Sequence, residues 1–376
     1  MLSKTSIFYT ITIVLSSVIT LSGAELLLRI NEKSTSYSNF NYNSDLGWIP
    51  NKKYDPDTKD FIEDSNYKFF PAVSSSTIKH NILLLGDSFA QGGQIENGLR
   101  DSLSCYSQDF NIINLGVGGY GTIQERVMWN KYGKEYDPSL VILQMYMWND
   151  IGDNLNDIMY WSDFDTMRPF YRHEYCSPDN SLSWGRDVTM LFSKEFYRKF
   201  ALVRFVEKNL WHWLCDGEYK DSGSGNFKQY KDFYIQPLNK RAKVGYEITE
   251  RELKRIISDF KSSNVNYIFI YFDNPFTVEK ETEDFLLEKY GDVANSMNVD
   301  YPTTWAENIS RLNGFNSINI TKILKDHRKQ SNTPLYDPSI NGHFTNEAGK
   351  VIGEVLVKYI LENKLLNAGL ETSLSN

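Results

Sequence analysis

The sequence has few cysteines for its length, and their spacing excludes two classes of architecture. Only three occur among 376 residues: Cys105, Cys176 and Cys215. None belongs to a CxxC pair or a zinc-ligand spacing, so neither a zinc-stabilised fold nor a disulfide framework is expected. An exported chain can form one disulfide, and Cys176–Cys215 is the favoured pair because both residues lie in one irregular region. Three buried free thiols are the alternative.

A basic block is also missing. The chain has 40 Lys and Arg against 48 Asp and Glu, a net charge of −8, with both signs mixed along its length. Because nucleic-acid backbones are bound by clustered Lys and Arg, no nucleic-acid partner is expected. The apolar fraction of 41% is sufficient for a packed core and argues against global disorder.

Formal charge is absent from twenty consecutive residues near the N-terminus, Thr5 to Ala24. As a helix this segment would span a hydrocarbon core of roughly 30 Å. It ends in Ser22-Gly23-Ala24, a small-x-small pattern of the kind that signal peptidases cleave. The apolar pattern nevertheless continues through Leu26–Leu28. Residues 1–30 are therefore predicted to be a signal anchor or a signal peptide, which leaves the rest of the chain membrane-anchored or secreted, outside the cytoplasm.

Short apolar runs alternate with helical patterns from residue 80 onward. The runs predicted as buried strands are Ile82–Leu85, Ile112–Leu115, Leu140–Tyr146, Tyr267–Phe272 and, more weakly, Ser317–Ile320. Helical spacing occurs at about Thr122–Lys134, after Thr345, and most clearly over Thr249–Ser262, where Thr249 and Glu252 match a capping box. This alternation predicts βαβ units, and hence an α/β fold with a parallel sheet of about five strands and helices on both faces.

Composition divides the chain into further segments. Residues 31–79 are rich in Asn, Ser, Tyr and Asp and are predicted to be a linker that wraps the surface, with Asp45–Asn51 (DLGWIPN) as a small docking turn. Residues 80–366 form the predicted main domain, and 367–376 are a tail. Residues of about 152–245 break the alternation and are predicted to be an insertion: a lid, part of a substrate wall, or additional packing. Four tryptophans lie in it: Trp161, Trp184, Trp211 and Trp213.

Polar residues follow the predicted strands where each one ends. Ser88 comes after the first, a glycine-rich loop from Asn114 to Thr122 after the second, Asn149 after the third, and His343 just before the last helix. The carboxyl ends of parallel strands meet at one edge of a sheet, where ligands bind. A histidine can activate a serine hydroxyl, while backbone N–H groups and an Asn amide can stabilise an oxyanion. The pattern predicts acyl chemistry at this edge.

These segments resemble the SGNH hydrolases, also called GDSL esterases. The motifs are GDSFA (Gly86–Ala90), NLGVGGYG (Asn114–Gly121), ND (Asn149-Asp150) and GHFTNEAG (Gly342–Gly349), in the family's order. The resemblance implies a flavodoxin-like three-layer α/β/α sandwich. It also implies Ser88 as nucleophile, His343 as base, and Ser88, Gly119 and Asn149 as oxyanion-hole donors, with Gly116 and Gly118 as alternatives to Gly119. The N-terminal segment together with DLGWIPN resembles the membrane-anchored branch of the family.

Two features depart from that family. Met147-Trp148 precede Asn149, where family members usually have a Gly. Members also place an Asp three or two residues before the histidine, and here Ile340 and Asn341 occupy those positions. Asn341 has no charge with which to stabilise an imidazolium. Asp337, six residues before His343, is therefore the predicted third member of the triad, with Asn341 or a backbone carbonyl as alternatives. Asp87 and Asp150 are predicted to have structural roles.

The predicted function is that of a serine esterase. A short acyl group on a glycan is the favoured substrate, because aromatic side chains such as Trp148 and those of the insertion can stack on sugar rings. The alternatives are an O-acyltransferase that modifies an extracytoplasmic polysaccharide and a non-catalytic carbohydrate-binding or assembly protein on the same fold.

No cofactor or metal is expected. Gly116–Gly121 matches GxGxxG but follows the second strand, and the acidic residue of a dinucleotide site is missing about 20 positions later.

Overall fold

A computed structural model describes residues 4–33, 39–43, 45–55, 58, 60–71, 80–107, 109–155, 158–161, 164–167, 202, 231–279, 286–288, 291–337 and 342–366. Cys176, Cys215, Asn341 and most of the predicted insertion lie outside these ranges. Cys105 lies within them and is an exposed free thiol. The alternative that all three cysteines are buried free thiols is therefore wrong, because Cys105 is exposed.

Five parallel strands form the central sheet, as the alternation of patterns predicts. They are β5 (His80–Leu85), β6 (Phe110–Asn114), β7 (Leu140–Tyr146), β10 (Asn266–Phe272) and β11 (Ser317–Asn319). Strands β8 (Ile158–Trp161) and β9 (Phe164–Met167) form a separate antiparallel pair. The spatial order in the central sheet is β11-β10-β7-β5-β6, and every neighbouring pair is parallel. Read from β6, this is the flavodoxin-like order 2-1-3-4-5. The predicted fold class is confirmed.

Helices cover both faces of this sheet. They are α2 (Ser88–Gln91), α3 (Gln94–Ser104), α4 (Thr122–Lys131), α5 (Asp150–Asp153), α6 (Lys240–Ser262), α7 (Tyr301–Asn313), α8 (Ile320–Gln330) and α9 (Asn346–Glu362). Right-handed crossovers place α3 on one face and α4 and α6 on the other, because the chain reverses direction in the sheet after β6. Every residue of β7 is buried, as a strand covered on both faces requires.

Helix α6 begins nine residues before the predicted start at Thr249. Its N-cap is Asn239, whose side chain accepts a hydrogen bond from the Ala242 N–H at 2.8 Å. Thr249 and Glu252 are buried inside the helix and do not cap it. Thr249 Oγ1 accepts a hydrogen bond from Asn154 Nδ2 at 2.8 Å. The capping-box interpretation is wrong because these two polar residues serve tertiary contacts.

Helices α3 and α9 cross at their backbones. A Cβ atom added to Gly98 of α3 would lie 1.8 Å from the carbonyl oxygen of Gly349 in α9. One added to Gly353 would lie 2.1 Å from the carbonyl oxygen of Gly98. The glycines therefore permit a close approach that no larger residue allows. Because α9 follows His343 by three residues, this crossing also fixes where the histidine enters the fold.

Two hairpins precede the sheet. One pairs β1 (Phe40–Asn43) with β2 (Gly47–Pro50), and the other pairs β3 (Lys53–Asp55) with β4 (Asp60–Ile62). The predicted docking turn at 45–51 is part of the first hairpin. Its Leu46 and Trp48 are fully buried in the main core.

The chain begins with helix α1 (Lys4–Lys33). Within it, Phe8–Arg29 is long and apolar enough to cross a membrane, with a mean hydropathy of 1.9, and its side chains are not buried against the rest of the protein. A signal sequence would meet the same criterion. The prediction of an apolar N-terminal helix is confirmed at this level.

Candidate active site

Ser88 is the first residue of α2 and lies directly beyond the carboxyl end of β5. Asp87 precedes it and caps the short helix, because its Oδ1 accepts a hydrogen bond from the Phe89 N–H at 2.9 Å. The Gln144 side chain on neighbouring β7 also donates to Asp87 Oδ1, at 3.0 Å. The predicted structural role of Asp87 is confirmed. Ser88 is thus held on a turn at the switch point between β5 and β7, where α/β sheets of this order bind ligands.

His343 meets Ser88 across the sheet edge. Its Nε2 lies 2.8 Å from Ser88 Oγ, within hydrogen-bond distance. The imidazole stacks on the buried ring of Phe89, with ring centroids 4.6 Å apart and an interplanar angle of 27°. Phe89 itself packs among Tyr146, Phe272 and Phe344. The histidine ring is therefore oriented by a rigid aromatic surface.

Asp337 lies opposite His343 in a short antiparallel hairpin. Strand β12 (Tyr336–Asp337) pairs with β13 (His343–Phe344), and Asp337 is the register partner of His343. The Gly342 N–H donates to the Asp337 carbonyl at 3.1 Å, beside this pair. Directly opposite residues in an antiparallel pair project from the same face, with Cβ atoms about 4.5–5.5 Å apart. Asp337 and His343 are thus neighbours in space although they are six positions apart in the sequence.

The loop after β6 contains one backbone donor that differs from its neighbours. Five other N–H groups in this loop, those of Leu115, Gly116, Val117, Gly118 and Tyr120, donate to protein acceptors at 2.9–3.1 Å. The acceptors for Gly116 and Gly118 are the side chains of Asn114 and Gln91. The Gly119 N–H has no acceptor among the described residues, and Gly119 is partly exposed while Gly118 and Tyr120 are buried. Of the three candidate glycines, Gly119 is thus the one whose N–H finds no acceptor in the part of the chain that the structure describes.

Asn149 lies at the carboxyl end of β7, beside the turn that carries Ser88. Its Nδ2 donates to Asp153 Oδ2 at 3.1 Å, and its Oδ1 is buried without a partner among the described residues. Asp150 Oδ2 accepts from the Tyr146 N–H at 2.8 Å, so its predicted structural role is confirmed. The structure therefore brings Asn149 beside Ser88, with its amide nitrogen bound to Asp153.

The five predicted site residues share a surface property. Ser88, Gly119, Asn149, Asp337 and His343 are each partly exposed, while the residues next to them are mostly buried. Four separate segments therefore reach the surface at the carboxyl edge of the sheet through these residues.

Four buried acidic side chains lie behind the nucleophile, and the sequence patterns do not reveal them as a group: Asp87, Glu125, Asp150 and Asp153. Burial, with added repulsion from Asp153, raises the pKa of Asp87 to about 6. Burial and repulsion from Asp87 raise the pKa of Glu125 well above its usual range, and Asp150 behaves in the same way. Burial thus disfavours the charged forms of Glu125 and Asp150 behind the nucleophile. Among the described residues, no group of three or more His, Cys, Asp or Glu is arranged to hold a metal ion.

Trp148 does not offer a stacking surface. It is only 3% exposed and packs on Tyr234 and Phe276, with both ring-centroid distances at 5.1 Å. The expectation that Trp148 stacks on a sugar ring is therefore wrong in this arrangement. Trp184, Trp211 and Trp213 lie outside the described residues.

Another buried acid, separate from those four, lies directly after the fourth strand of the sheet. Asp273 follows β10, and its Oδ1 accepts hydrogen bonds from the Tyr234 hydroxyl and from the Asn274 N–H. Burial raises the pKa of Asp273 to about 7, although these hydrogen bonds oppose the shift. Its other oxygen, Oδ2, is buried without a partner among the described residues.

Comparisons with known proteins give fold-level similarities. No protein-family model and no curated protein sequence matches the chain. Similar solved structures include an acetyl xylan esterase (8% identity, TM-score 0.39, 74% of this chain and 99% of the other). An acetylxylan esterase from Geobacillus stearothermophilus (10%, 0.39, 76% and 96%) and a putative GDSL-family lipolytic protein from Desulfitobacterium hafniense (9%, 0.37, 75% and 99%) are similar to a comparable degree. The chain itself has the sheet order, and at its carboxyl edge the four segments, that the resemblance to SGNH hydrolases implies.

Proposed function

We propose that this protein is a serine esterase of the SGNH type. The observation that carries the proposal is the 2.8 Å contact between Ser88 Oγ and His343 Nε2 at the carboxyl edge of the sheet. A serine hydroxyl is a weak nucleophile until a base removes its proton, and a neutral imidazole at this distance can do so. The Gly119 N–H, without an acceptor among the described residues, supplies the second element that acyl transfer needs.

The reaction follows from these groups. Ser88 Oγ attacks the ester carbonyl while His343 takes its proton, and a tetrahedral oxyanion forms. The N–H groups of Ser88 and Gly119 donate to that oxyanion, together with the second Nδ2 hydrogen of Asn149, which is not the one donated to Asp153. His343 then protonates the leaving alcohol, which gives an acyl-serine. Water, activated by the same histidine, hydrolyses the acyl-serine and restores Ser88.

We assign Asp337 as the third member of the triad. The hairpin register supports this assignment, because Asp337 and His343 are direct cross-strand partners. A carboxylate beside the imidazole stabilises the imidazolium that forms when Ser88 loses its proton. Asn341 or a backbone carbonyl would fill the position instead if removal of the Asp337 charge left turnover unchanged.

The test is hydrolysis of p-nitrophenyl acetate by the full chain. Ser88→Ala should lower kcat at least about 1,000-fold, because the nucleophile is lost. Ser104→Ala is the matched control, since Ser104 is exposed on α3 and its hydroxyl donates to the Asp101 carbonyl in the same helix, at 2.7 Å. A fully active Ser88→Ala protein would contradict the proposal, and an inactive wild type would favour a non-catalytic protein on this fold.

A second experiment tests whether water or a sugar hydroxyl accepts the acyl group from Ser88, by measuring how the acetyl group is divided between them. The proposal expects acetate to be released into water both with and without an added oligosaccharide. Transfer of the acetyl group to the oligosaccharide with little hydrolysis would instead make the protein an O-acyltransferase that uses the same Ser88.

We further propose that α1 anchors the protein to a membrane, with the sheet domain outside the cytoplasm. The support is the apolar stretch Phe8–Arg29, whose side chains find no cover in the described structure. Fractionation of cells followed by protease treatment of the exposed face tests this proposal. A mature chain that lacks residues 1–24 would show that the segment is a cleaved signal peptide.

A further inference from the structure

The peptide that carries the Gly119 N–H is the central peptide of a tight turn. The Tyr120 N–H donates to the Val117 carbonyl at 3.1 Å, which makes Gly118 and Gly119 the two middle residues. The φ of Gly119 is +76°, the value of the third residue in a type II turn. Type I and type II turns differ mainly by a rotation of this central peptide through about 180°. The direction of the Gly119 N–H therefore depends on which turn the loop adopts.

A buried tryptophan from the N-terminal hairpin binds the other end of the same peptide. Trp48 Nε1 donates a hydrogen bond to the Gly118 carbonyl at 3.0 Å, and Trp48 is fully buried. The Gly118 C=O and the Gly119 N–H belong to one trans peptide and so point in opposite directions. Because Trp48 holds the Gly118 carbonyl on its own side of the peptide, the Gly119 N–H points to the other side. If the peptide rotated, the Gly118 carbonyl would take the place of the donor and would repel an oxyanion.

The hairpin is attached firmly enough to impose this orientation. The Tyr120 hydroxyl donates to the Trp48 carbonyl, and the two rings meet edge to face with centroids 5.4 Å apart. The Gln124 side chain donates to the Leu46 carbonyl at 2.6 Å. The indole thus lies on a fixed strand, and its N–H is not a freely rotating group.

We propose that Trp48 is a positioning residue for the oxyanion hole: its indole N–H holds the Gly118–Gly119 peptide in the orientation that directs the Gly119 N–H to the substrate. This inference rests on the proposed esterase function. It assigns part of the catalytic arrangement to a hairpin outside the sheet domain, in the segment between α1 and β5.

The experiment compares two variants of the full chain. Trp48→Phe removes the indole N–H and keeps an aromatic ring against Tyr120. Tyr120→Phe is the matched control, because it removes a hydrogen bond between the hairpin and the loop without touching the Gly118 carbonyl. We expect Trp48→Phe to lower kcat for p-nitrophenyl acetate by about 10- to 100-fold with KM nearly unchanged, somewhat less than deletion of an oxyanion donor. Tyr120→Phe should retain kcat within about threefold.

A thionoester substrate separates positioning from general damage to the fold. Sulfur is a weak hydrogen-bond acceptor, so an intact oxyanion hole favours the oxygen ester over the matching thionoester. The ester-to-thionoester rate ratio should fall in Trp48→Phe and stay at the wild-type value in Tyr120→Phe. Benzothienylalanine at position 48, which has the shape of Trp without its N–H, should reproduce the loss even if Phe disturbs packing.

Three results would overturn the inference. A Trp48→Phe protein with wild-type kcat and rate ratio would show that the indole N–H is not needed. An equal loss in Tyr120→Phe would assign the effect to attachment of the hairpin. Activity that survives in Ser88→Ala would overturn the serine mechanism and the positioning role together, whereas an active Trp48→Phe in an enzyme that requires Ser88 overturns the positioning role alone.

Discussion

Asp273 provides a quantitative test of the electrostatics at the sheet edge. Its pKa is raised from 3.8 to about 7 by complete burial, against the hydrogen bonds from Tyr234 and Asn274. Lys325 lowers the pKa slightly and Asp300 raises it. Between pH 4 and 7 the folded protein holds a proton that the unfolded chain releases. The free energy of unfolding must therefore fall as pH rises through this window and level off above pH 7.

The substitution Asp273→Asn removes this proton exchange and keeps an oxygen that can accept both hydrogen bonds. Two pKa units lie between pH 5 and the folded pKa, and each is worth 1.36 kcal/mol. The unfolding free energy of wild type relative to Asp273→Asn should thus fall by about 3 kcal/mol between pH 5 and pH 8. Any constant cost of the Asn side chain cancels in this difference.

Urea denaturation of both proteins at pH 5, 6, 7 and 8 measures the quantity directly. Asp326→Asn is the control, because Asp326 is fully exposed and Lys329 lowers the pKa of its carboxyl. That carboxylate is ionised in both states across this range and should add no pH dependence. Parallel curves for wild type and Asp273→Asn would refute the reasoning, since they would mean that Asp273 ionises as easily in the folded protein as in the unfolded chain.

Three further substitutions test the geometry of the fold and the site. Gly98→Ala should lower the unfolding free energy by about 1–3 kcal/mol in urea denaturation, because its methyl group would lie 1.8 Å from the Gly349 carbonyl oxygen; an unchanged midpoint would contradict the close crossing. Gly119→Ala should cost roughly 1–2 kcal/mol of stability, since φ of +76° disfavours a side chain, and should also lower kcat for p-nitrophenyl acetate; full activity would remove Gly119 from the oxyanion hole. Asp337→Asn should lower kcat by about 100-fold or more with little change in KM, and a smaller effect would transfer the orienting role to another group near His343.

The sheet was predictable because its strands are short, continuous and apolar. Strand β7 has the predicted bounds, Leu140–Tyr146. Apart from Gln144 its side chains are apolar or aromatic, because the strand is buried on both faces, and the run therefore has clear ends in the sequence. The start of α6 was not predictable from a capping pattern. A Thr and a Glu three residues apart look the same in the sequence whether they cap a helix or bind Asn154 and Arg126 of neighbouring segments.

The candidate site was predictable in its parts and not in its details. Ser88 and His343 follow from their positions after a strand and before a helix. The pairing of Asp337 with His343 depends on a hairpin that the spacing of six residues does not specify. The buried acids and the Trp48 contact arise from packing between segments far apart in the chain, and no local pattern encodes such contacts.

Covalent labelling of the nucleophile is the most direct test of the central claim. The full chain would be treated with diisopropyl fluorophosphate, digested with trypsin and analysed by mass spectrometry. Tryptic cleavage yields the peptide His80–Arg100, in which Ser88 is the only hydroxyl-bearing side chain. We expect stoichiometric phosphorylation of this peptide in wild type and slow labelling in His343→Ala. An unlabelled His80–Arg100 peptide in a protein that still hydrolyses p-nitrophenyl acetate would contradict the claim that Ser88 is the nucleophile.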